Sequence, residues 1–270
     1  SRTGEGLHRS VDPSDGKVYL YSQFEVPDAR RVYAVFDQPD IKATFDFSVA
    51  APSEWEVISN QPTAYTPEVA PDDDSIRFWT FKSTPVMSPY LTAICAGPYA
   101  KWSTVHTLAS GRNVPMSIYC RQALKDAASG DVDYLFDITA KGMDFYNSTW
   151  AVEYPYEKYD QIFVPEYNAG AMENIGCVTI RDSYIYESKT TDASKERRVV
   201  TVLHELAHMW FGDLVTMKWW NDLWLNESFA EFTSTLAAAE ATEWKDAWAT
   251  FCSGEKSWGQ AEDEKPTTHP

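Results

Sequence analysis

Basic residues are scarce in this 270-residue sequence, where 23 lysines and arginines stand against 40 aspartates and glutamates for a formal net charge of −17. A surface of that charge repels phosphate backbones and anionic lipid head groups. The sequence also contains no signal-peptide-like apolar segment and no apolar run long enough to cross a bilayer. We therefore expect neither nucleic acid nor a membrane as a partner.

Cysteine is also scarce, with only four residues in the sequence. Cys95, Cys120, Cys177 and Cys252 are far apart and form no CxxC pair. This spacing argues against a disulfide framework and against a thiolate zinc site. A single disulfide bridge is still compatible with the sequence. The chain is nevertheless long enough to bury a sizeable core, in one large domain or two ordinary ones.

Histidine occurs only five times, yet His204 and His208 stand four apart in the string HELAH. On an α-helix this spacing puts both imidazoles on one face, close enough to share one metal ion. Asp192 or Ser194 can cap such a helix and Gly212 can end it. The helical period is carried by apolar residues, namely Val199, Val202, Leu203, Leu206, Trp210 and Phe211.

Glu227 is the expected third ligand, because zinc held by two neutral imidazoles needs another protein ligand and an open position for water. It lies on a second apolar-periodic stretch, which Asn221 or Asp222 can cap. Glu205 is too close in sequence to His204 to ligate comfortably, so it is free to take a proton from the activated water. We expect the second helix to bury Leu223, Leu225, Phe229, Ala230 and Phe232. The three other histidines, His8, His106 and His269, have no companions at ligand spacing.

The string GAMEN, from Gly170 to Asn174, predicts a peptide-binding segment. Gly170 and Ala171 carry almost no side chain, so a substrate backbone can approach and add to a sheet edge there. Glu173 then places a carboxylate near the end of the bound strand. A peptide α-amino group has a pKa near 8 and is largely protonated at neutral pH, so this carboxylate selects a free N-terminus.

HELAH, the glutamate of NESFAEF eighteen residues later, and GAMEN together make the sequence resemble the zinc aminopeptidases of the aminopeptidase N family, in particular its bacterial members. The resemblance implies one zinc ion, held by His204, His208 and Glu227. It also implies peptides with a free N-terminus as substrates. Weaker similarity runs from about Tyr21 to the end of the chain.

The resemblance implies further substrate contacts. All of GAMEN takes part, including Met172 and Asn174. Glu25 is a second amine-binding carboxylate, with Gln23 as a possible helper. Ala169 lines the pocket for the first side chain, where a small residue leaves room for bulky ones.

The chain is expected to be α+β, with a β-rich domain over residues 1–97 and a catalytic domain over residues 98–270. The change of pattern at Gly97-Pro98 sets that boundary, and the resemblance implies a thermolysin-like form for the second domain. Strands are predicted at Val18–Phe24, Arg31–Phe36, Ala43–Ala50, Ile76–Phe81, Tyr90–Ala96, Pro115–Tyr119, Gln161–Val164 and Cys177–Ile180, and a helix from about Asp131 to Tyr146.

Members of the resembled family carry more strands before this sequence and a catalytic tyrosine in a downstream string similar to ITYxKGA. We therefore expect the chain to be a piece of a longer protein, with the remaining domains as its partners. The metal site is expected to be complete while the catalytic site lacks its oxyanion donor, which makes this piece a poor catalyst.

Two other functions stay open. A related lipid-epoxide hydrolase shares the zinc motif and GAMEN-like elements. A catalytically incomplete zinc- or peptide-binding module is the other alternative.

Asn147-Ser148-Thr149 and Asn226-Glu227-Ser228 both match the N-glycosylation pattern. A glycan on Asn226, beside a metal ligand on a packed helix, has no room. With the unpaired cysteines, this predicts a cytoplasmic protein.

Overall fold

The computed structural model describes residues 3–266, which form an α+β structure and confirm the expected fold class. His269 lies outside the described residues. The first part of the chain holds seven strands: β1 (Gly6–Val11), β2 (Val18–Gln23), β3 (Ser48–Pro52), β4 (Glu56–Ser59), β5 (Glu68–Ala70), β6 (Asp73–Thr80) and β7 (Ile94–Gly97).

These strands make two antiparallel sheets. One has the order β1-β2-β7-β4 and the other the order β3-β6-β5. In β1, buried and exposed residues alternate along the strand, as expected for a strand with one face against a core. β2 runs through the middle of its sheet and ends at Gln23, two residues before Glu25.

Three of the predicted strands differ from the structure. The segment 31–36 is not a strand, because a 3₁₀ turn at Ala29–Arg31 leads into irregular chain. The strand expected at 43–50 begins only at Ser48. In the segment 90–96 the chain first makes a 3₁₀ turn at Pro89–Leu91, and the strand follows from Ile94. Local 3₁₀ turns replace the strand ladder in two of these segments, whereas residues 43–47 make isolated backbone hydrogen bonds to residues 81–87 instead.

The second part of the chain contains a five-stranded sheet. Its strands are β8 (Ala100–Thr107), β9 (Asn113–Cys120), β10 (Tyr159–Val164), β11 (Ala171–Met172) and β12 (Cys177–Arg181). The order is β11-β12-β10-β9-β8, with β10 parallel to both β9 and β12. All six residues of β10 are buried, as expected for a central strand covered on both faces. The short strand β11 forms one edge.

Six α-helices complete the described chain: α1 (Lys125–Ser129), α2 (Val132–Trp150), α3 (Asp192–His208), α4 (Leu223–Ala241), α5 (Ala247–Ser253) and α6 (Glu255–Asp263). Helix α2 buries the side it was predicted to bury, namely Leu135, Ile138, Thr139, Met143 and Tyr146. Gly142 lets α2 and α3 approach closely, since a Cβ there would lie 2.4 Å from Leu203 Cδ2. No helix among residues 3–266 is both long enough and apolar enough to span a membrane.

Contacts tie the first part of the chain to the second. The Asn60 side-chain amide donates to the carbonyl oxygens of both Leu91 and Ile175, at 2.8 and 2.9 Å. Arg121 donates to the buried carboxylate of Asp12 at 2.8 Å. One hydrophobic cluster also runs from Tyr19 and Tyr21 into the sheet and helices of the second part. These contacts join the sheets of the first part of the chain to the sheet and helices of the second.

Candidate metal centre and amine-binding cleft

Helix α3 presents the HELAH residues from a buried position. Thr191 is its N-cap, accepting a hydrogen bond from the backbone N–H of Ser194, so the expected cap at Asp192 or Ser194 is wrong by one to three residues. The helix ends at His208 rather than at Gly212. Gly212 instead lies in the following turn with φ +130°. Helix α3 therefore places His204 and His208 on its last turns, facing α4.

Helix α4 brings Glu227 to the two histidines, but it packs differently from the prediction. Among the five residues expected to be buried, only Ala230 is; Leu225 and Phe232 are 44% and 50% exposed. The buried residues of α4 are mostly small, which allows close packing against the neighbouring helices. These small buried residues include Thr233, Ser234, Ala237 and Ala238.

A cavity of about 830 Å³ opens beside His204 and Glu227. Phe232 lines it together with Phe251 and Trp258, so this aromatic side chain faces the cavity and not a core. A cavity of this size is in the range of ligand pockets.

The three predicted metal ligands converge. His204 Nε2 lies 3.0 Å from His208 Nε2 and 3.1 Å from Glu227 Oε2, and His208 Nε2 lies 3.7 Å from the same Glu227 oxygen. The Glu227 side chain is 42% exposed, whereas that of His208 is 1% exposed. The ligand set therefore opens toward solvent on the side of Glu227.

Two further groups of carboxylates adjoin the metal ligands. Glu173, Glu205 and His208 form one group, and Glu25, Glu173 and Glu227 form another, each with potential ligand atoms within 4.8 Å of one another. Glu173 and Glu205 are only 3% and 5% exposed. The structure thus brings Glu25, from the end of the first sheet, to the same cleft as the GAMEN glutamate and the HELAH glutamate.

The GAMEN segment forms the edge strand of the five-stranded sheet. Ala171 pairs with Ile180 and Met172 with Thr179, which leaves the other side of β11 unpaired within its sheet. A Cβ built on Gly170 meets no atom within 4 Å. Open space beside an edge strand is what backbone pairing by an extended peptide requires.

The loop before β11 is held by its neighbours. Ala169 is half-buried, and its carbonyl oxygen accepts a hydrogen bond from Arg181 at 3.1 Å. The Asn174 side chain donates to Thr179 Oγ1 at 3.4 Å. Ala169 and Asn174 therefore flank β11, and each is hydrogen-bonded to a side chain of β12.

Gln23 occupies a different place from the carboxylates. Its side-chain oxygen accepts a hydrogen bond from the Tyr167 hydroxyl, and its nitrogen lies 3.4 Å from Met172 Sδ. Both ends of the amide are thus engaged with the loop and strand that carry GAMEN. Gln23 therefore contacts the GAMEN segment directly, and its expected help in binding the amine stays a prediction.

Burial and mutual repulsion dominate the electrostatics of the acidic groups. Burial raises the pKa of Glu205 to about 8. Burial also raises the pKa of Glu173, and burial together with the neighbouring charge of Glu173 raises that of Glu25 well above its usual range. These shifts show that the cleft favours added positive charge, which would stabilise the ionised carboxylates.

The ligand residues themselves behave as ion pairs. Burial opposes protonation of His204, but its hydrogen bonds with Glu227 and Glu231 outweigh that effect and raise its pKa to about 9. Burial likewise acts against ionisation of Glu227, yet hydrogen bonds from His204 and His208 hold its pKa far below the usual value. Both pKa shifts reflect the close contact between the Glu227 carboxylate and the imidazoles.

Two residues that contact the predicted metal ligands, Asn226 and Glu231, have no predicted role in the site. Asn226 accepts a hydrogen bond from His208 Nδ1 at 3.0 Å and donates to Glu173 Oε1 at 3.4 Å. Glu231 lies 3.2 Å from His204 Nδ1. Glu231 stands four residues after Glu227, which is helical spacing for one face, so its proximity was available as a signal.

Comparison with known proteins agrees with this arrangement. Residues 134–270 match the Peptidase family M1 domain, and residues 4–91 match the Peptidase M1 N-terminal domain. The chain belongs to the peptidase M1 family.

Individual relatives point the same way. Aminopeptidase N of Streptomyces lividans is 54% identical over a match that covers 100% of this chain and 30% of the relative. Aminopeptidase N of Mus musculus is 40% identical, covering 86% of this chain and 24% of the relative. Aminopeptidase M1 of Arabidopsis thaliana is 36% identical, covering 98% and 29%. The chain spans between 24% and 30% of the length of these three relatives. The expected likeness to bacterial aminopeptidase N is confirmed.

Proposed function

We propose that this protein is a zinc-dependent aminopeptidase, which removes N-terminal residues from peptides. The observation that carries the proposal is the position of Glu25 and Glu173. Their carboxylate oxygens lie within 4.8 Å of each other and of a Glu227 oxygen, so an amine-binding pair adjoins the metal ligands. Such a pair favours a peptide whose first bond lies next to the metal.

The ligand set fits zinc. Ligand atoms at about 2.0–2.2 Å from a tetrahedral ion lie about 3.3–3.6 Å apart. The separations among His204, His208 and Glu227 are 3.0, 3.1 and 3.7 Å, which bracket that range. Two imidazoles and one carboxylate are also a known catalytic zinc combination. When bound there, zinc supplies Lewis acidity, activating water for attack and polarising the scissile carbonyl.

Glu205 is the proposed general base. It is buried next to the ligands without belonging to the group that His204, His208 and Glu227 form. A carboxylate with a pKa near neutrality is suited to accept the proton of the attacking water and to pass it to the leaving amine. A cation among the ligands would lower this pKa, because nearby positive charge favours the carboxylate.

Glu25 and Glu173 are the proposed anchor for the peptide ammonium group. One oxygen of Glu25 is buried and has no hydrogen-bond partner among the described residues. A buried carboxylate oxygen left unpaired costs free energy that an ammonium donor would recover. The free edge of β11 would meanwhile pair with the substrate backbone, with Ala169 beside its first side chain.

We also propose a cytoplasmic location. Asn226 is 3% exposed and hydrogen-bonded to His208, so it leaves no space for a glycan. All four cysteines are free. Intact-mass measurement of the protein from its native source tests this: a glycan on the Asn226 peptide would contradict it.

The functional test uses the zinc-loaded enzyme at full length, with elemental analysis and matched aminoacyl arylamides carrying a free or an acetylated amine. We expect one zinc ion per chain, lost in Glu227→Ala, and preference for the free amine that is abolished in Glu173→Gln. Equal cleavage of free and acetylated substrates would refute the amine anchor. Full zinc occupancy in Glu227→Ala would refute the ligand assignment. Zinc and peptide binding without any hydrolysis would favour the binding-module alternative.

A further inference from the structure

The His204 ring lies between two carboxylates of one helix. Its Nε2 is 3.1 Å from Glu227 Oε2, and its Nδ1 is 3.2 Å from Glu231 Oε2. Glu227 and Glu231 are four residues apart on α4, so their side chains stand one above the other on the same face. The imidazole of α3 therefore spans one turn of α4, with a carboxylate at each nitrogen.

The two ring nitrogens of His204 have different roles in the proposed site. Nε2 is the nitrogen that approaches His208 Nε2 at 3.0 Å, so it belongs to the ligand set with Glu227. A neutral imidazole that ligates through one nitrogen carries its hydrogen on the other. Nδ1 of His204 must then be the donor, and Glu231 is the acceptor that it reaches.

The second histidine is held by weaker acceptors. Its Nδ1 faces two neutral oxygens, Asn226 Oδ1 at 3.0 Å and the Phe211 carbonyl at 3.1 Å. Only His204, of the two ligand imidazoles, donates to a carboxylate. The Glu231 side chain is 23% exposed, so its hydrogen bond is only partly open to competition from water.

We propose that Glu231 is a positioning residue for the metal centre. It fixes the tautomer and the orientation of His204 by accepting the Nδ1 hydrogen, and it is not itself a ligand. Such partners of metal-bound histidines typically contribute 10–100-fold to metal affinity. The inference rests on the proposed metal site, and it adds that α4 supplies both a ligand and the support for another ligand.

The test measures zinc affinity of the 270-residue chain by competition with a chelator, for wild type, Glu231→Gln and Glu231→Ala. Glu240→Gln is the matched control, because Glu240 lies exposed on the same helix. We expect Glu231→Ala to bind zinc about 10–100-fold more weakly. Glu231→Gln should recover much of the affinity, since its amide oxygen still accepts a hydrogen bond. The control should match wild type.

Absorption of the cobalt-substituted proteins gives a second readout, which a general loss of stability would not move. The ligand-field bands of Glu231→Ala should differ from wild type because His204 is free to rotate, and those of Glu231→Gln should resemble wild type. If Glu231→Ala keeps zinc affinity within twofold and the wild-type spectrum, the proposal is wrong and the aminopeptidase assignment is untouched. A glutamine variant as weak as the alanine variant would also overturn it. A wild-type chain that binds no zinc would instead remove the metal site itself.

Discussion

Asn226 donates a hydrogen bond to Glu173, with the two atoms 3.4 Å apart, while its other end accepts from His208 at 3.0 Å. One amide thus connects a proposed metal ligand to a carboxylate proposed to bind the substrate amine. Both ends of a primary amide are needed for this arrangement, because only the nitrogen donates and only the oxygen accepts.

The contact between Asn226 and Glu173 predicts a specific coupling. Asn226→Asp replaces the donor by an acceptor facing Glu173, and Glu173→Gln in the same protein restores a donor–acceptor pair. The new carboxylate also faces His208, so Asn226→Asp changes the contact with His208 as well as the contact with Glu173. A double-mutant cycle is therefore required to isolate the interaction with Glu173. Chemical denaturation of metal-free protein should give a favourable coupling of about 1–3 kcal/mol. Strict additivity would show that the two side chains do not interact.

In the full-length enzyme, Glu205→Gln should retain zinc and peptide binding while losing turnover, because glutamine fills the same space but cannot accept a proton. Removal of a general base typically costs 10²–10⁴-fold. The measurement pairs single-turnover hydrolysis with zinc analysis on the same sample. Near-normal turnover at full zinc occupancy would contradict the assigned role.

The position of Gly212 predicts crowding at the proposed metal centre when a larger residue replaces it. Its φ is +130°, and a Cβ built there lies 2.5 Å from Asn226 Oδ1 and 3.0 Å from His208 Nδ1. We expect Gly212→Ala to lower the free energy of unfolding by more than the roughly 1–3 kcal/mol of backbone strain alone, and to weaken zinc binding. Gly111→Ala is the control, because Gly111 also has positive φ, +88°, but no atom within 4 Å of its Cβ position. Equal losses in the two variants would mean that only backbone strain matters.

The ion pairs of Arg121 predict two opposite pH dependences. Burial opposes ionisation of Asp12, but hydrogen bonds from Ser14 and Arg121 outweigh it and lower the pKa below 3.8. Asp12 therefore stabilises the fold above pH 3.8, and this contribution is lost as pH falls through the lowered pKa. For Asp182, burial raises the pKa above 3.8 despite Arg121, so its contribution decreases as pH rises through that pKa.

Denaturation across a pH series checks these signs. The stability difference between wild type and Asp12→Asn should grow as pH rises, reaching about 1–3 kcal/mol at neutral pH. The difference between wild type and Asp182→Asn should shrink over the same range. Parallel slopes for the two variants would rule out this division between the carboxylates.

The sequence was sufficient where chemistry depends on local spacing. His204 and His208 are four apart, and that spacing alone implies a shared face once the segment is helical. The apolar pattern also predicts a strand at Gln161–Val164 and a helix from about Asp131 to Tyr146, which the structure extends to Tyr159–Val164 and Val132–Trp150. The placement of Glu25 beside Glu173 came from family resemblance, because no periodicity connects two residues so far apart in the chain.

Other features depend on packing that the pattern does not determine. Leu225 and Phe232 have the character of core residues, but α4 approaches α3 through small side chains and leaves these two exposed. Asn226 gave a glycosylation-like string, and only the fold shows it buried between His208 and Glu173. Tertiary contacts override local patterns at such positions.

The order of the site residues along the chain has a consequence for synthesis. Glu25 comes early, the GAMEN segment follows, and Glu227 comes last among the groups proposed to act on a peptide. Domains generally fold from the N-terminus as the ribosome extends the chain. A ribosome-bound chain that ends before Leu223 should hold zinc no better than a peptide with two histidines, and tight zinc binding by it would contradict this order. Until α4 has emerged from the ribosome, the growing chain lacks the carboxylate that completes the proposed zinc site.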